Sequence, residues 1–318
     1  MELRQLKYFA AIVEHGNMTR AAETLHVAQP ALSQQLANLE ADVGGRLFER
    51  GPLGMRATAA GEILYRHARS LLRQIDDMRA SIDHEIANPS GRVVLGMAGS
   101  TARIVAAPLL IALKAYPDIL IELVERPSAE LVGLTAQGSV DLAIAVDAQP
   151  SRGVALTPLF HERLFVVLAR GAKRSRGRRA GHAIDLAELA THPLLLPSPP
   201  STIRSRIEVA LTDAHLPYRL AAEVSATDLL IHLVASGVGV TALPWSALAD
   251  EVRRNRIHAC ELLDAKLERE LSLCMPADVA VSQAVEVVRD TLLGELGRLA
   301  SSSDWRGVHP VAGSGIGR

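Results

Sequence analysis

The sequence predicts a mixed fold: an all-helical N-terminal unit, one long helix, and a large α/β region in two halves. Three observations predict it. Apolar residues recur at helical spacing from Leu3 to Leu39. A narrow apolar stripe then runs through Leu64, Ala68, Leu71, Ile75, Met78 and Ile82, in alternating steps of four and three. From Arg92 onward, short apolar runs alternate with helical patterns. The length of 318 residues suits two or three domains, and 48% apolar with only 3% aromatic content implies cores of Leu, Ile, Val and Ala.

The first helix carries Leu3, Leu6, Phe9, Ala10 and Val13 on one face. Gly16 fits a left-handed C-terminal position and Asn17 an N-cap for the next helix. That second helix, Thr19 to Leu25, is alanine-rich, so neighbours can approach over Ala21 and Ala22. A short break at His26 to Ala28 precedes a third helix, with Pro30 tolerated in its first turn and a poor cap at Ala28. Leu32, Leu36 and Leu39 form its dry side, while Gln29, Ser33, Gln34 and Asn38 form an amide- and hydroxyl-rich outer side. Such groups bond base edges in a major groove without burying charge, so the pair of helices reads as a helix-turn-helix. A small ligand-free helical bundle is the alternative.

In GRLFERGPLGMRAT, Leu47 and Phe48 can anchor a hairpin whose tip carries Arg50 and Arg56. It fits a wing along a phosphate backbone or a solvated basic loop. From Ala59 one long helix follows, capped by Thr58. Its stripe suits pairing with a second copy of the chain or packing on its own domain. Asn88 to Gly91 break it and mark a linker.

These residues resemble the LysR-type transcriptional regulators. The resemblance rests on LRQLKYFAAIVEHGNMTRAAETLHVAQPALSQQLANLEADVGGRLFER, followed by AT-A-A-G-E and a long helix. Within the family, LKYF, AQPALSQQ and GEILYRHAR resemble the nitrogen assimilation control type. The resemblance implies a winged helix-turn-helix over residues 1–58 and a dimerising linker helix over 59–88. It also implies an effector domain over 92–300, shaped like type 2 periplasmic binding proteins. Its first lobe would take about 92–160 and 264–300, its second about 161–263, with two crossings near Leu159 and Leu262. By matching position, Gln29, Pro30, Ser33 and Gln34 would read promoter DNA and Arg50 and Arg56 would sit in the wing. Many members have a basic residue where Gln34 stands, which leaves the operator open. A homodimer or homotetramer on DNA, and contact with RNA polymerase, complete the implied partners.

In the α/β region, VVLGMA, ILIELVE and DLAIAV read as strands, as do LFVVLA, PLLLP, LAAEV, VGVTALP and LSLCM. With helices between them, they imply a mainly parallel sheet covered on both faces. Gly99, Ser100 and Thr101 follow the first strand and open a helix, and Ser198, Ser201 and Thr202 repeat this in the second half. Thr227 starts a further helix. Helix N-termini beyond strand ends suit a carboxylate or other anion, and the family places its effector cleft there; ordinary helix caps are the plain alternative. Residues 301–318 lack periodicity and are expected to be a disordered tail.

Other classes are disfavoured. His161-Glu162 lacks the second histidine of a zinc helix, Gly237 and Gly239 complete no dinucleotide motif, and no nucleophile elbow stands in an ordered region. No enzyme activity, metal or cofactor is expected. A solute-binding protein would share the two lobes but would need an export signal and no recognition helix. Regulation of small aromatic or organic acid catabolism is the alternative to nitrogen metabolism. Net charge is −1, so DNA affinity must come from local clustering. The basic loop Lys173 to Arg179 is either solvated or touches DNA or an acidic partner. Cys260 and Cys274 form no disulfide or metal framework and read as reduced thiols; their spacing does not identify a redox pair. The N-terminus lacks a secretory apolar region and no run reaches membrane length, so a soluble cytoplasmic chain is expected.

Overall fold

Glycine and asparagine punctuate the N-terminal bundle as the sequence predicts. In the computed structural model, which describes residues 1–51, 54–83, 89–172, 183–263, 267–277 and 281–312, α1 (Leu3–His15) ends at Gly16 with φ 60°. Asn17 caps α2 (Met18–Thr24), its Oδ1 accepting from the N–H groups of Thr19 and Arg20 at 2.8 and 3.2 Å. The next helix, α3 (Gln29–Val43), has no side-chain cap, and Pro30 sits in its first turn. Leu32, Leu36 and Leu39 are buried against Phe9, Ile12 and Ala21. Each buried leucine contributes roughly 1.5–3 kcal/mol.

A hairpin of β1 (Phe48–Gly51) and β2 (Gly54–Ala57) follows. Glu40 ties its base to α3, accepting from the Leu47 N–H at 2.7 Å. Gly54 has φ 110°, and a Cβ there would lie 2.5 Å from the Gly16 carbonyl oxygen. The Met55 N–H donates to that same oxygen at 2.9 Å. The hairpin is thus seated on the turn between α1 and α2, which only glycine at 54 allows.

Thr58 caps α4 (Ala59–Asp83), its Oγ accepting from the Gly61 N–H at 3.1 Å. Ala68 is fully buried, and Leu64 and Tyr65 half-buried, in the N-terminal domain's own core. The Tyr65 hydroxyl donates to Glu14 on α1 at 3.1 Å. Burial, then the Glu14 carboxylate, push that phenol's pKa up. Leu64 and Ala68 therefore pack within the chain, and the outward part of the stripe starts at Leu71, which is 44% exposed.

The first lobe contains β3 (Gly91–Met97), α5 (Gly99–Ala112), β4 (Ile119–Glu125), α6 (Ser128–Ala136) and β5 (Leu142–Val146). Strands β4 and β5 flank β3 in parallel. Then β6 (Val154–Ala169) crosses over as one strand of 16 residues. The second lobe contains β7 (Ala183–Ile184), α7 (Leu186–Ala190), β8 (Pro193–Pro197), α8 (Thr202–Asp213) and β9 (Arg219–Val224). It continues with α9 (Thr227–Ala235), β10 (Thr241–Pro244), α10 (Trp245–Arg253) and β11 (Ile257–Leu262). The chain returns through β12 (Glu268–Pro276) to α11 (Gln283–Ala300) and ends with β13 (Val308–Pro310).

The sheet is mixed rather than mainly parallel. Parallel pairing survives in β3 with β4 and β5, in β8 with β9, and in β7 with β11. The two crossing strands impose the rest. The first half of β6 pairs antiparallel with β12, its second half antiparallel with β10 and β11. Periodicity reports burial but not strand direction, so apolar runs alone do not reveal this pairing.

The tail also corrects an expectation. Residues 301–312 are ordered: β13 pairs with β6, and Trp305 is only 1% exposed. A three-residue strand is too short to show a period. Residues 313–318 and the basic loop Lys173 to Arg179 lie outside the described residues.

Candidate DNA interface and effector cleft

The outer face of α3 is as the sequence predicts. Gln29, Pro30, Gln34 and Asn38 are exposed and Ser33 half-exposed. Gln34 Nε2 donates to Asn38 Oδ1 at 3.1 Å, one helical turn away. That bond holds the Gln34 carboxamide along the helix surface. Arg56 is exposed on β2, and Arg50 stands opposite Met55 in the hairpin register, its side chain outside the described residues. Helix α3 and the hairpin, joined through Glu40, thus present donors and acceptors on one side and a cation on the other.

The predicted corners of the α/β region lie at three helix starts. Ser100 and Thr101 open α5 after β3, Thr202 opens α8 after β8, and Thr227 opens α9 after β9. All three strands run parallel to a neighbour, so these helix starts stand at strand carboxyl ends. The corners are not alike. Ser201 is an N-cap, its Oγ accepting from the Arg204 N–H at 3.4 Å, while Thr202 is exposed and Thr227 half-buried. Thr101 departs from the expectation of an accessible hydroxyl: it is 0% exposed, and its Oγ1 has no hydrogen-bond partner among the described residues. Ser100 Oγ accepts from Arg269 Nη2 at 2.9 Å. The Glu125 carboxylate sits against Gly99, where a Cβ would come 2.4 Å from its Oε1 and push that exposed side chain aside.

Arg269 belongs to a buried polar cluster that sequence reasoning missed. Glu162 Oε2 accepts from Arg269 Nε at 2.8 Å and Nη2 at 2.6 Å. Glu162 Oε1 accepts from Trp305 Nε1 at 2.7 Å and from the Ser246 N–H at 3.2 Å. Arg269 Nη2 also donates to Ser246 Oγ at 3.1 Å. Glu162 is 0% and Arg269 3% exposed, so two full charges are removed from water and neutralise one another. The signal in the sequence is a lone acid in LFHERLFVV and a lone base in LERELSLCM, each inside an apolar strand.

The lobes meet through a second ion pair. Arg206 of α8 donates to both oxygens of Asp147, at the end of β5. A cavity of about 620 Å³ lies elsewhere, between α5, α9 and α10. Its charges are internally matched, Arg103 with Asp228 and both Arg254 and Arg256 with Glu251. Cys260 and Cys274 are buried and form no disulfide with one another, and burial pushes the Cys274 thiol up to about 11. Little of it is thiolate at neutral pH, which disfavours redox chemistry there. Among the described residues, no helix is long and apolar enough to cross a membrane.

Comparison with known proteins agrees with this geometry. Residues 3–62 match the family model described as bacterial regulatory helix-turn-helix protein, lysR family. Residues 87–297 match the LysR substrate binding domain. The chain is 35% identical over 295 residues to the nitrogen assimilation regulatory protein Nac of Escherichia coli, covering 92% of this chain and 94% of that one. It is 33% identical over 300 residues to Nac of Klebsiella aerogenes, covering 94% and 96%. It is 31% identical over 250 residues to the regulator BenM of Acinetobacter baylyi, covering 77% and 81%. Among solved structures, a full-length OxyR variant from Pseudomonas aeruginosa superposes with a TM-score of 0.76 at 24% identity, covering 97% and 98%. Full-length CbnR complexed with its target DNA gives 0.68 at 23%, covering 94% and 99%. With both halves matched in order, the chain belongs to the LysR family of transcriptional regulators, with a helix-turn-helix for DNA and a C-terminal effector-binding domain.

Proposed function

We propose that this regulator reads promoter DNA with Gln29, Ser33 and Gln34 in the major groove, with Pro30 setting the entry of α3. Arg50 and Arg56 steady the wing on phosphates. The observation that carries the reading is the exposed amide row on α3 above a fully buried leucine face. Amide side chains can bond adenine edges in two places at once, which is how they discriminate.

A homodimer forms along α4 through the outward stripe from Leu71 onward, with Ile75, Met78 and Ile82, and dimers pair into a homotetramer. The side chains of Met78 and Ile82 lie outside the described residues. The effector is a small anion held between the lobes by Ser100, Ser201, Thr202 and Thr227 with helix N–H groups, Thr101 forming a buried floor. It acts by favouring one arrangement of the lobes, and the shift cannot exceed its differential affinity for the two states. The protein works in the cytoplasm, touches RNA polymerase at the promoter and catalyses no reaction. The identity to two Nac proteins supports genes of nitrogen metabolism as the regulated set. Regulation of small aromatic or organic acid catabolism is the second reading.

Genome-wide footprinting in the native cell tests this. Protected sites upstream of nitrogen-assimilation genes are expected. Protection confined to catabolic operons would select the second reading, and a lack of discrete sites would remove the base-reading role of α3.

A further inference from the structure

The ordered tail does more than fill a groove. It touches both crossing strands and the second lobe at once. Trp305 lies against Phe160 with ring centroids 5.7 Å apart. The Arg163 N–H donates to the Gly307 carbonyl at 2.8 Å, and Val308, His309 and Pro310 pair with Glu162, His161 and Phe160. On the second lobe, Trp245 Nε1 donates to the Asp304 carbonyl at 2.8 Å, and the Arg306 guanidinium stands 4.6 Å over the Trp245 ring.

One contact leads inward. Trp305 donates to Glu162, Glu162 holds both Nε and Nη2 of Arg269, and Arg269 Nη2 donates to Ser100 at the start of α5. We propose that residues 302–311 are a strap that positions the Ser100 corner of the cleft, with Trp305 and Glu162 as positioning residues acting through Arg269. The role of that corner in effector binding rests on the proposed function; the strap itself does not.

The chemistry favours positioning over bulk stabilisation. A buried ion pair seldom stabilises more than apolar residues of the same volume. It does fix geometry, because the Nε–Nη2 edge of the planar guanidinium is held on Glu162 Oε2, with the Ser100 and Ser246 hydroxyls also on Nη2. Glu162's other oxygen takes two donors, the Ser246 N–H at 3.2 Å and Trp305 Nε1 at the shorter 2.7 Å, and together they fix the plane of the carboxylate that holds Arg269. Trp305 supplies a side-chain donor to that oxygen, and the tail delivers Trp305. Ser100 is therefore oriented by a residue more than 200 positions away in sequence.

Hydrogen exchange with mass spectrometry on the full-length, ligand-free protein tests this. Trp305→Phe keeps an aromatic ring, though a smaller one, and removes the N–H. Gly307→Val detaches β13 by another route, since Gly307 has φ 72° and a Cβ there would lie 2.8 Å from the Phe165 ring. Phe160→Leu is the packing control, loosening the same region while leaving the hydrogen bonds intact. Both strap variants are expected to speed exchange about tenfold in peptides covering 98–104 and 268–272, relative to the α6 peptide. The control is expected to leave that ratio unchanged. Acceleration confined to 158–165 and 301–311, or an equal effect from Phe160→Leu, overturns the proposal. Should Trp305→Phe fail to fold, Gly307→Val decides alone. No effector is present, so a wrong effector reading cannot produce either result.

Discussion

Arg206 and Asp147 form a latch between the lobes: Nη2 donates to Oδ1 at 2.5 Å and Nε to Oδ2 at 3.2 Å. Asp147 also accepts from the Glu270 N–H at 3.0 Å, so its carboxylate belongs to β12 as well. The residue sits at φ 49°, a conformation asparagine tolerates. Asp147→Asn should keep the backbone and remove the charge. Urea denaturation should show a loss of about 1–3 kcal/mol, the range for a hydrogen bond to a charged group. An unchanged midpoint would mean that the latch is a surface pair of no consequence.

DNA recognition separates by residue. Gln29→Ala should weaken the cognate site by roughly 1–3 kcal/mol and random DNA hardly at all. Arg56→Ala should weaken both alike and lower the salt slope by about one. A mobility-shift titration at several salt concentrations reads both. Equal losses on the two DNAs for Gln29→Ala would remove its base contact.

The stripe on α4 is testable at Leu71, which is exposed in the isolated chain. Leu71→Asp should dissociate the dimer in sedimentation velocity and weaken operator binding with it, since a buried unpaired carboxylate is strongly unfavourable. The N-terminal core should keep its stability, because Leu71 is not part of it. A retained dimer would place the contact elsewhere.

The buried pair should show strong non-additivity. Glu162→Leu or Arg269→Met alone leaves one uncompensated charge and should cost about 3–5 kcal/mol. The double variant should recover much of that loss in a denaturation cycle. Additive losses would show that the two charges do not depend on one another.

Cys274 gives a pH dependence. Its thiol is raised in the folded chain from 9.0 to about 11, chiefly by burial. The folded state therefore holds the proton longer than the unfolded state. The stabilisation is complete below pH 9 and is lost as pH rises from 9 toward 11. Each pH step of one across that window removes about 1.4 kcal/mol at most. Cys274→Ala should flatten thermal stability over that range. At pH 7 the native thiol should react with alkylating reagents only after unfolding.

The N-terminal domain was legible because a helix announces itself. Gly16, Asn17 and Leu32-Leu36-Leu39 each state a local rule, and the structure obeys all of them. The α/β half was legible as strands and helices but less so as pairing. Only LFVVLA stands out within β6, whose earlier part mixes buried and exposed positions without a clean alternation. Trp305 was hidden because its partners, Phe160 and Glu162, lie about 140 residues back. Glu162 itself enters the sequence pattern only as half of an incomplete zinc motif. Of the corner residues, Ser100 and Thr101 look equivalent in sequence. Only burial separates them, one hydroxyl bonded to Arg269 and the other sealed.

The unbroken course of β6 has a mechanical meaning. A door turns on a pin; two plates joined by a continuous bar can only wring it. Both lobes share this strand, so one can rotate against the other only if torsion spreads along the ladders with β12, β10 and β11. Each peptide takes up a few degrees, within the range that strands ordinarily show. The one irregularity in the ladder with β12 lies at this crossing, a register shift between Leu271 and Ser272, so that is where the bar yields most readily.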